Sequence, residues 1–317
     1  MSVGSDIYNR YSDYLIKAYG GRTYKLPLNI PVSCPNRIGG KGGCTYCDEK
    51  GAGFENLSDT FSVGEQIRKN AEYIGKRYKA ENFIAYFQNF TNTFLPLEQF
   101  EKYMNEAAEE NIVEIAVSTR PDCIRKEYLD VLKKIEIEKH INITIELGLQ
   151  SINDKTLKKI NRGHGVAEYI DAVLAIKEYG FKICTHLIVN LPWDDIEDTV
   201  SAAKLISALK TDFVKLHALY IVDGTEMGRQ YKNNEFEICS CDEYKKRVIE
   251  FLKYLSPDIY VQRLIGRAPE ENSLFANWGR SWWAIRDETE AEMRENGYFQ
   301  GQLCNYLGGS AVRRFFQ

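Results

Sequence analysis

The chain of 317 residues has no apolar run approaching membrane-spanning length. Residues 1–20 alternate polar and aromatic side chains and lack the apolar core of a signal peptide. These two absences predict a cytoplasmic protein with no membrane contact. The net charge of −4 leaves no global excess of positive charge to attract nucleic acid, although a local basic face stays open. Histidine is scarce, with four in the whole chain, and no Pro/Gly/Ser-rich linker, internal repeat or low-complexity tract divides it. Eight cysteines without a secretion signal predict thiols that serve as ligands or stay free in a reducing compartment, not disulfides. What remains, 44% hydrophobic and 27% charged residues over this length, is the composition of a globular protein with a core of barrel size.

Apolar, β-rich runs alternate with helical periodicity. The pattern predicts strands at 26–33, 83–87, 114–118, 143–149, 181–190 and 213–220. Between them it predicts helices at 63–78 (capped by Ser62), 97–110, 126–137, 154–160, 166–179 and 196–209. Six strand–helix steps argue for parallel β/α architecture with right-handed crossovers. A doubly wound open sheet and a full or partial barrel both satisfy the pattern, and in both, chemistry collects at the carboxyl ends of the strands. The suggestive residues fall there. Three cysteines follow strand one, Thr91, Asn92 and Thr93 follow strand two, Arg120 follows strand three, and Glu146, Gln150 and Ser151 lie at strand four. After residue 220 the pattern changes to a helix at 242–255, a strand at 259–265 and a helix at 282–295, with Trp278, Trp282 and Trp283 clustered. The expected organisation is an N-terminal extension (1–25), a β/α core (26–225) and a C-terminal extension packed on the core (226–317).

Cys34, Cys44 and Cys47 are spaced C-x9-C-x2-C on one loop that also holds Gly39, Gly40, Gly42 and Gly43. Three thiolates can hold three irons of a cubane cluster and leave the fourth iron open to a small molecule. Zinc is the competitor, but a structural zinc site needs four ligands, and the nearest histidine after Cys47 is His140. Soft sulfur ligands on a glycine-rich loop suit iron–sulfur ligation better. Glu146 sits in an otherwise apolar strand, where a bare charge is costly and a partner is required; Arg120 is one candidate. His164, His186 and His217 stand near strand ends, as proton donors or as hydrogen-bonded structural residues. Lys215 and His217 share one strand face. Cys239, Cys241 and Cys304 allow a second cluster but read more simply as inert thiols. Arg280, Arg286, Arg313 and Arg314 with the tryptophans allow a basic, aromatic face for RNA, or a solvated helix face over a tryptophan-filled core.

The cysteine triad with Tyr46 before its last thiol, the β/α succession, and the segments 25–37, 91–93, 119–122, 146–151, 161–164 and 215–217 resemble the radical S-adenosylmethionine (SAM) superfamily. The nine-residue first gap departs from the usual three. It resembles a bacterial branch of iron–sulfur oxidoreductase-like proteins and, more distantly, the Elongator catalytic subunit. The resemblance implies a partial (β/α)6 TIM-like barrel with a [4Fe-4S] cluster on Cys34, Cys44 and Cys47, whose open iron binds SAM. It implies an electron donor such as flavodoxin or ferredoxin, reductive cleavage of SAM to a 5′-deoxyadenosyl radical, and hydrogen abstraction from an organic substrate. Thr91, Asn92 and Thr93 would then touch the methionyl amino group, and Glu146, with Arg120, Gln150 and Ser151, the rest of the cofactor. The segment 189–194 departs from the Gly-Leu-Pro-Gly-Glu-like form of the superfamily. For substrate, the resemblance points to the modified wobble uridine of tRNA. The rival readings are a zinc-dependent barrel hydrolase, an electron-transfer iron–sulfur protein and an RNA-binding module without chemistry.

Overall fold

The computed structural model describes residues 7–40, 42–48, 56–269 and 272–315. Helix α1 (Tyr11–Tyr19) leads into strand β1 (Thr23–Leu28). There follow α2 (Val63–Tyr78), β2 (Asn82–Phe87), α3 (Leu97–Ala107), β3 (Ile112–Thr119), α4 (Lys126–Lys139) and β4 (Asn142–Gln150). Next come α5 (Asp154–Lys159), α6 (Val166–Glu178), β5 (Lys182–Ile188), α7 (Ile196–Ala208) and β6 (Phe213–His217). The last part carries β7 (Ile221–Val222), α8 (Glu226–Lys232), α9 (Cys241–Tyr254), β8 (Tyr260–Arg263), β9 (Ser273–Phe275) and α10 (Trp282–Glu295). Among the described residues, no helix is long and apolar enough to cross a membrane.

Seven parallel strands form one sheet in the order β1-β2-β3-β4-β5-β6-β8. The sheet is a curled half-barrel. Its two edge strands come within hydrogen-bonding reach, since Lys25 Nζ on β1 donates to Gln262 Oε1 on β8 at 3.0 Å. Six strands are expected in the β/α core; the strand expected at 259–265 is present at 260–263 and extends the sheet rather than capping it. Period-two alternation divides each strand between two cores. Leu26, Phe87, Val117, Leu147 and Leu216 face the helices in the large outer core, while Ile84, Tyr86, Ala116, Cys184 and Phe213 face inward. Tyr11 and Leu15 of α1 complete the inner cluster and plug the barrel. That helix was not anticipated: it buries only two of its nine residues, and its aromatic content hides the periodicity.

Local signals set the helix starts. Ser62 and Glu65 form a reciprocal capping box on α2, Asn153 caps α5, and Asp195 caps α7. β1 ends earlier than the hydrophobic run suggests. Beyond it, the Asn29 N–H leaves the ladder to donate to Gln66 Oε1 on α2 at 2.8 Å, which frees the following residues to become the cysteine loop.

The barrel interior holds two fully buried carboxylates, Glu114 on β3, whose Oε2 accepts from the Tyr19 hydroxyl at 2.7 Å, and Glu146. Glu146 on β4 pairs with Lys25 on β1, with Lys215 on β6 at 2.5 Å, and with His186 on β5 at 2.8 Å. Both ammonium groups also lie over the Tyr86 ring, 4.6 and 4.4 Å from its centroid. Burial alone would push the Glu146 carboxyl up, but Lys215, Lys25 and His186 outweigh it and hold the group well below the usual carboxylate range. A depressed carboxylate contributes stability that is present above its unfolded pKa and is lost as pH falls through the folded value. Replacing Glu146 with Leu leaves two buried ammonium groups facing each other. Urea denaturation at pH 7.5 is expected to show a loss of about 3–5 kcal/mol, and the difference from wild type should shrink toward low pH. A loss under about 1 kcal/mol would mean that the lysines relax to solvent and that the network is not structural.

Candidate active site

The three thiols sit on the loop after β1. Short local turns shape it: the Arg37 N–H donates to the Cys34 carbonyl and the Cys47 N–H to the Cys44 carbonyl, both at 2.9 Å. The remaining restraints come from elsewhere in the fold. The turn between α5 and α6 clamps the loop. Asn161 Nδ2 donates to the Gly43 carbonyl at 2.7 Å, Asn36 Nδ2 donates to the Asn161 and Arg162 carbonyls at 2.6 and 3.0 Å, and the Thr45 N–H donates to the Ile160 carbonyl at 3.0 Å. The N–H of Met227 on α8 holds the Thr45 carbonyl from the other side at 2.8 Å. Gly163 has φ +78°, and a Cβ there would collide with Asn36 Oδ1 and lie 2.8 Å from Arg120 Nη2, so two independent constraints require glycine.

Every thiol of the triad receives an N–H. Arg120 Nη1 points at Cys34 Sγ (3.6 Å), Arg162 Nη1 and Asn36 Nδ2 at Cys44 Sγ (3.6 Å each), and Arg37 Nη1 at Cys47 Sγ (3.8 Å). Arg120 is fixed in turn by a bidentate pair with Asp122 at 2.8 and 2.6 Å. Arg162 is fixed by donation to the Gly148 carbonyl at 2.8 Å. Burial pushes the Cys47 thiol up to about 11, with Cys44 adding to the shift and Arg37 opposing it. A thiolate at this depth therefore needs positive charge, which guanidinium groups and a bound metal supply. The donor set fits an iron–sulfur cluster: soft ligands, with N–H groups aimed at sulfur. A structural zinc site would need a fourth ligand beside the three thiols.

A cavity opens beside the triad at the carboxyl ends of the strands. Thr91, Arg120, Glu146 and Gln150 line it, as do His186 and His217. The expected site residues therefore divide. Asn92 turns away, its Nδ2 donating to the carbonyls of Phe87, Asn89 and Ser118, where it staples β2 to β3. Thr93 Oγ1 is 2.6 Å from Thr119 Oγ1 and donates to the Cys123 carbonyl at 2.8 Å. Ser151 is buried next to the cavity, and its Oγ accepts from the Asn153 N–H at 2.9 Å. Gln150 reaches the cavity through a left-handed backbone, φ 74°. Arg120 does not pair with Glu146, whose partners are Lys25 and Lys215. Among the histidines, His186 serves Glu146, His217 lies beside Arg263 (Nη2 to Nδ1, 2.8 Å), and His164 Nδ1 is 3.2 Å from the Gly165 carbonyl.

Sequence reasoning gave no role to Arg162, Arg37, Asn36, Lys25 or Arg263. The lysines were legible by the rule that singled out Glu146, since each is a charge at an inward strand position. Nothing in the sequence marks a guanidinium aimed at sulfur. In the segment 189–194, the Asn190 side chain accepts from the Leu219 N–H at 2.6 Å, and Arg247 holds the Val189 and Asp194 carbonyls. Cys241 begins α9 and Cys304 lies near its far end, where Leu303 binds Lys253; fourteen helical residues put them about 20 Å apart. Cys304 therefore cannot share a cluster with Cys241. Arg280 pairs with Glu288, and Arg286 pairs with Asp287 over the Trp282 ring; the side chains of Arg313 and Arg314 lie outside the described residues.

A parallel half-barrel with a thiol-rich loop at its carboxyl mouth is the architecture of radical-forming iron–sulfur barrels, and the comparisons agree with that class. The chain belongs to the radical SAM superfamily: that family model matches residues 28–206, and the Radical SAM C-terminal domain matches 211–295. Members use a [4Fe-4S] cluster and SAM. The chain is 31% identical to Bacillus subtilis YtqA over 95% of its own length and 94% of that protein's. It is likewise 31% identical to Escherichia coli YhcC, over 91% and 93%. It is 33% identical to the tRNA uridine(34) acetyltransferase of Methanocaldococcus infernus, over 51% of this chain but 29% of that protein. The solved Elp3 of Methanocaldococcus infernus, with an N-terminal deletion, shares the fold, with a TM-score of 0.68 at 18% identity over 88% of this chain and 64% of the other.

The clamp predicts a particular defect. In Gly163→Ala, the displaced Asn36 and Arg120 are expected to lower iron content after anaerobic reconstitution by at least about half while the fold, read by circular dichroism, persists. Full iron loading in that variant would remove the turn from any role in shaping the loop.

Proposed function

We propose that this chain is a radical SAM enzyme in which Cys34, Cys44 and Cys47 ligate a [4Fe-4S] cluster. One observation carries the reading: three thiols on one loop, each met by an N–H donor, border a cavity at the strand ends. When bound, the cluster and SAM supply a 5′-deoxyadenosyl radical by one-electron reductive cleavage, with the electron delivered by a donor such as flavodoxin or ferredoxin. The protein's own groups do the rest. Arg120, Arg162, Arg37 and Asn36 stabilise negative charge on the sulfurs. Thr91, Gln150 and Glu146 offer polar atoms to the cofactor from the cavity wall, Glu146 through whatever acceptor capacity the two lysines leave. Asn92, Thr93 and Ser151 hold the wall in shape. The buried aromatic Tyr86 and the plug of α1 close the barrel end and exclude water, as a carbon radical requires. The core over 26–225 carries the cofactor site, and the segment 226–317 packs on it and adds a strand.

For substrate we propose the modified wobble uridine of tRNA. The supporting observation is the likeness over half the chain to proteins named for acting on tRNA uridine 34.

Two measurements test the reading. Cys47→Ala is expected to bind less iron after reconstitution and to produce no 5′-deoxyadenosine when reduced with dithionite in the presence of SAM. A fully loaded wild-type protein that yields no 5′-deoxyadenosine would overturn the enzymatic assignment. Separately, tRNA from a deletion strain should show altered nucleosides at the wobble uridine, and an unchanged profile would remove tRNA as substrate.

A further inference from the structure

Arg263 closes β8 and faces the same cavity as the three thiols. Among the described residues its one hydrogen-bonded contact is His217, with Nη2 2.8 Å from Nδ1, and its Nε is buried with no partner there. No carboxylate answers it among the described residues. Burial, followed by Arg263 itself, holds His217 well below its ordinary pKa, so the imidazole is neutral and brings no counter-charge. Gly266 stands against the guanidinium: a Cβ there would lie 3.2 Å from Cζ, so the absence of a side chain makes room for it.

The neighbouring layer deepens the imbalance. Arg263 is the register partner of Lys215 across β6 and β8, and Lys215 shares the single carboxylate of Glu146 with Lys25. Lys25 and Lys215 thus already draw on the Glu146 carboxylate, and no carboxylate is paired with Arg263 among the described residues. Arg263 is half-buried, but its Nε is buried without a partner, and a planar fork with free N–H groups matches a carboxylate. Arg263 also borders the groove formed by Tyr8, Trp282 and Arg286, so it stands where an outer surface meets the inner cavity.

We propose that Arg263, oriented by His217 and seated on Gly266, receives a carboxylate of the substrate and so sets specificity for an anionic substrate group. This rests on the radical SAM reading of the same cavity, and SAM is the other possible source of a carboxylate.

The test uses reconstituted holoenzyme saturated with SAM and titrated calorimetrically with sodium acetate, with acetamide as the neutral control. Wild type is expected to bind acetate saturably and acetamide not at all. Arg263→Gln is expected to weaken acetate at least about tenfold while SAM affinity stays within about twofold, and Arg263→Lys is expected to recover part of the loss. Gly266→Ala, which crowds the guanidinium without removing it, should weaken acetate as well. Absence of saturable acetate binding to wild type, or equal binding by wild type and Arg263→Gln, would overturn the proposal. So would a variant that loses affinity for SAM but not for decarboxylated SAM, because the anion would then be the cofactor's own. Neither affinity depends on radical formation or on the identity of the RNA. Failure of the tRNA reading and failure of this proposal are therefore separate results.

Discussion

A loop that carries three thiols has little regular hydrogen bonding of its own, so its shape must be imposed from outside. Here the imposing element is the turn between α5 and α6. It works through backbone carbonyls, which do not change with protonation or oxidation state. Asn36 reaches out of the loop to the Asn161 and Arg162 carbonyls, and Asn161 reaches back to Gly43. Arg162 then crosses from that turn to Cys44 Sγ on one side and the Gly148 carbonyl of β4 on the other. One residue thereby ties loop, turn and central strand together. A cluster with a vacant coordination position needs this rigidity, because a loop free to move could bring a fourth ligand to the open iron.

The barrel interior has a second organising demand, which is charge. Polar groups inside a half-barrel cost free energy unless paired, and this interior pairs them across almost the full width of the sheet. Lys25, Glu146, His186 and Lys215 come from strands one, four, five and six, with Tyr86 from strand two beneath both ammonium groups. Such a network favours one curvature, since a flatter sheet would separate Lys25 from Glu146 and from Gln262. Coulombic attraction at low dielectric is strong, and so is the desolvation cost it offsets, so net stability is modest and specificity of shape is the larger gain.

The fold was largely legible because hydrophobic alternation survives where a sheet has two cores. Each expected strand from the second to the sixth overlaps an observed one. The misses have physical causes. The first strand lies earlier than its hydrophobic run, because Asn29 and the residues after it leave the sheet for α2 and the cysteine loop. Helix α1 was hidden because a plug needs only Tyr11 and Leu15 to be buried. At the site, residue types located the region but not the direction of each side chain. Thr91, Asn92 and Thr93 are consecutive, yet only Thr91 lines the cavity, because Asn92 and Thr93 satisfy strand-end carbonyls and hydroxyls. Arg120 was placed in the right pocket but serves sulfur and Asp122 rather than Glu146.

The last strand changes how the C-terminal region contributes. Were 226–317 only a cover over the outer helices, the cavity would be walled by the core alone. Instead β8 adds to the sheet beyond β6, and two of its side chains turn inward. Gln262 completes the contact with Lys25 that draws the sheet edges together, while Arg263 enters the cavity wall. The same four-residue strand thus sets the curvature and contributes the cation most distant in sequence from the cysteine loop. The core supplies the groups aimed at sulfur, and the C-terminal strand supplies a cation in the wall of the adjoining cavity. Substitutions along β8 can therefore alter what the cavity accepts while leaving the thiol loop and its clamp untouched.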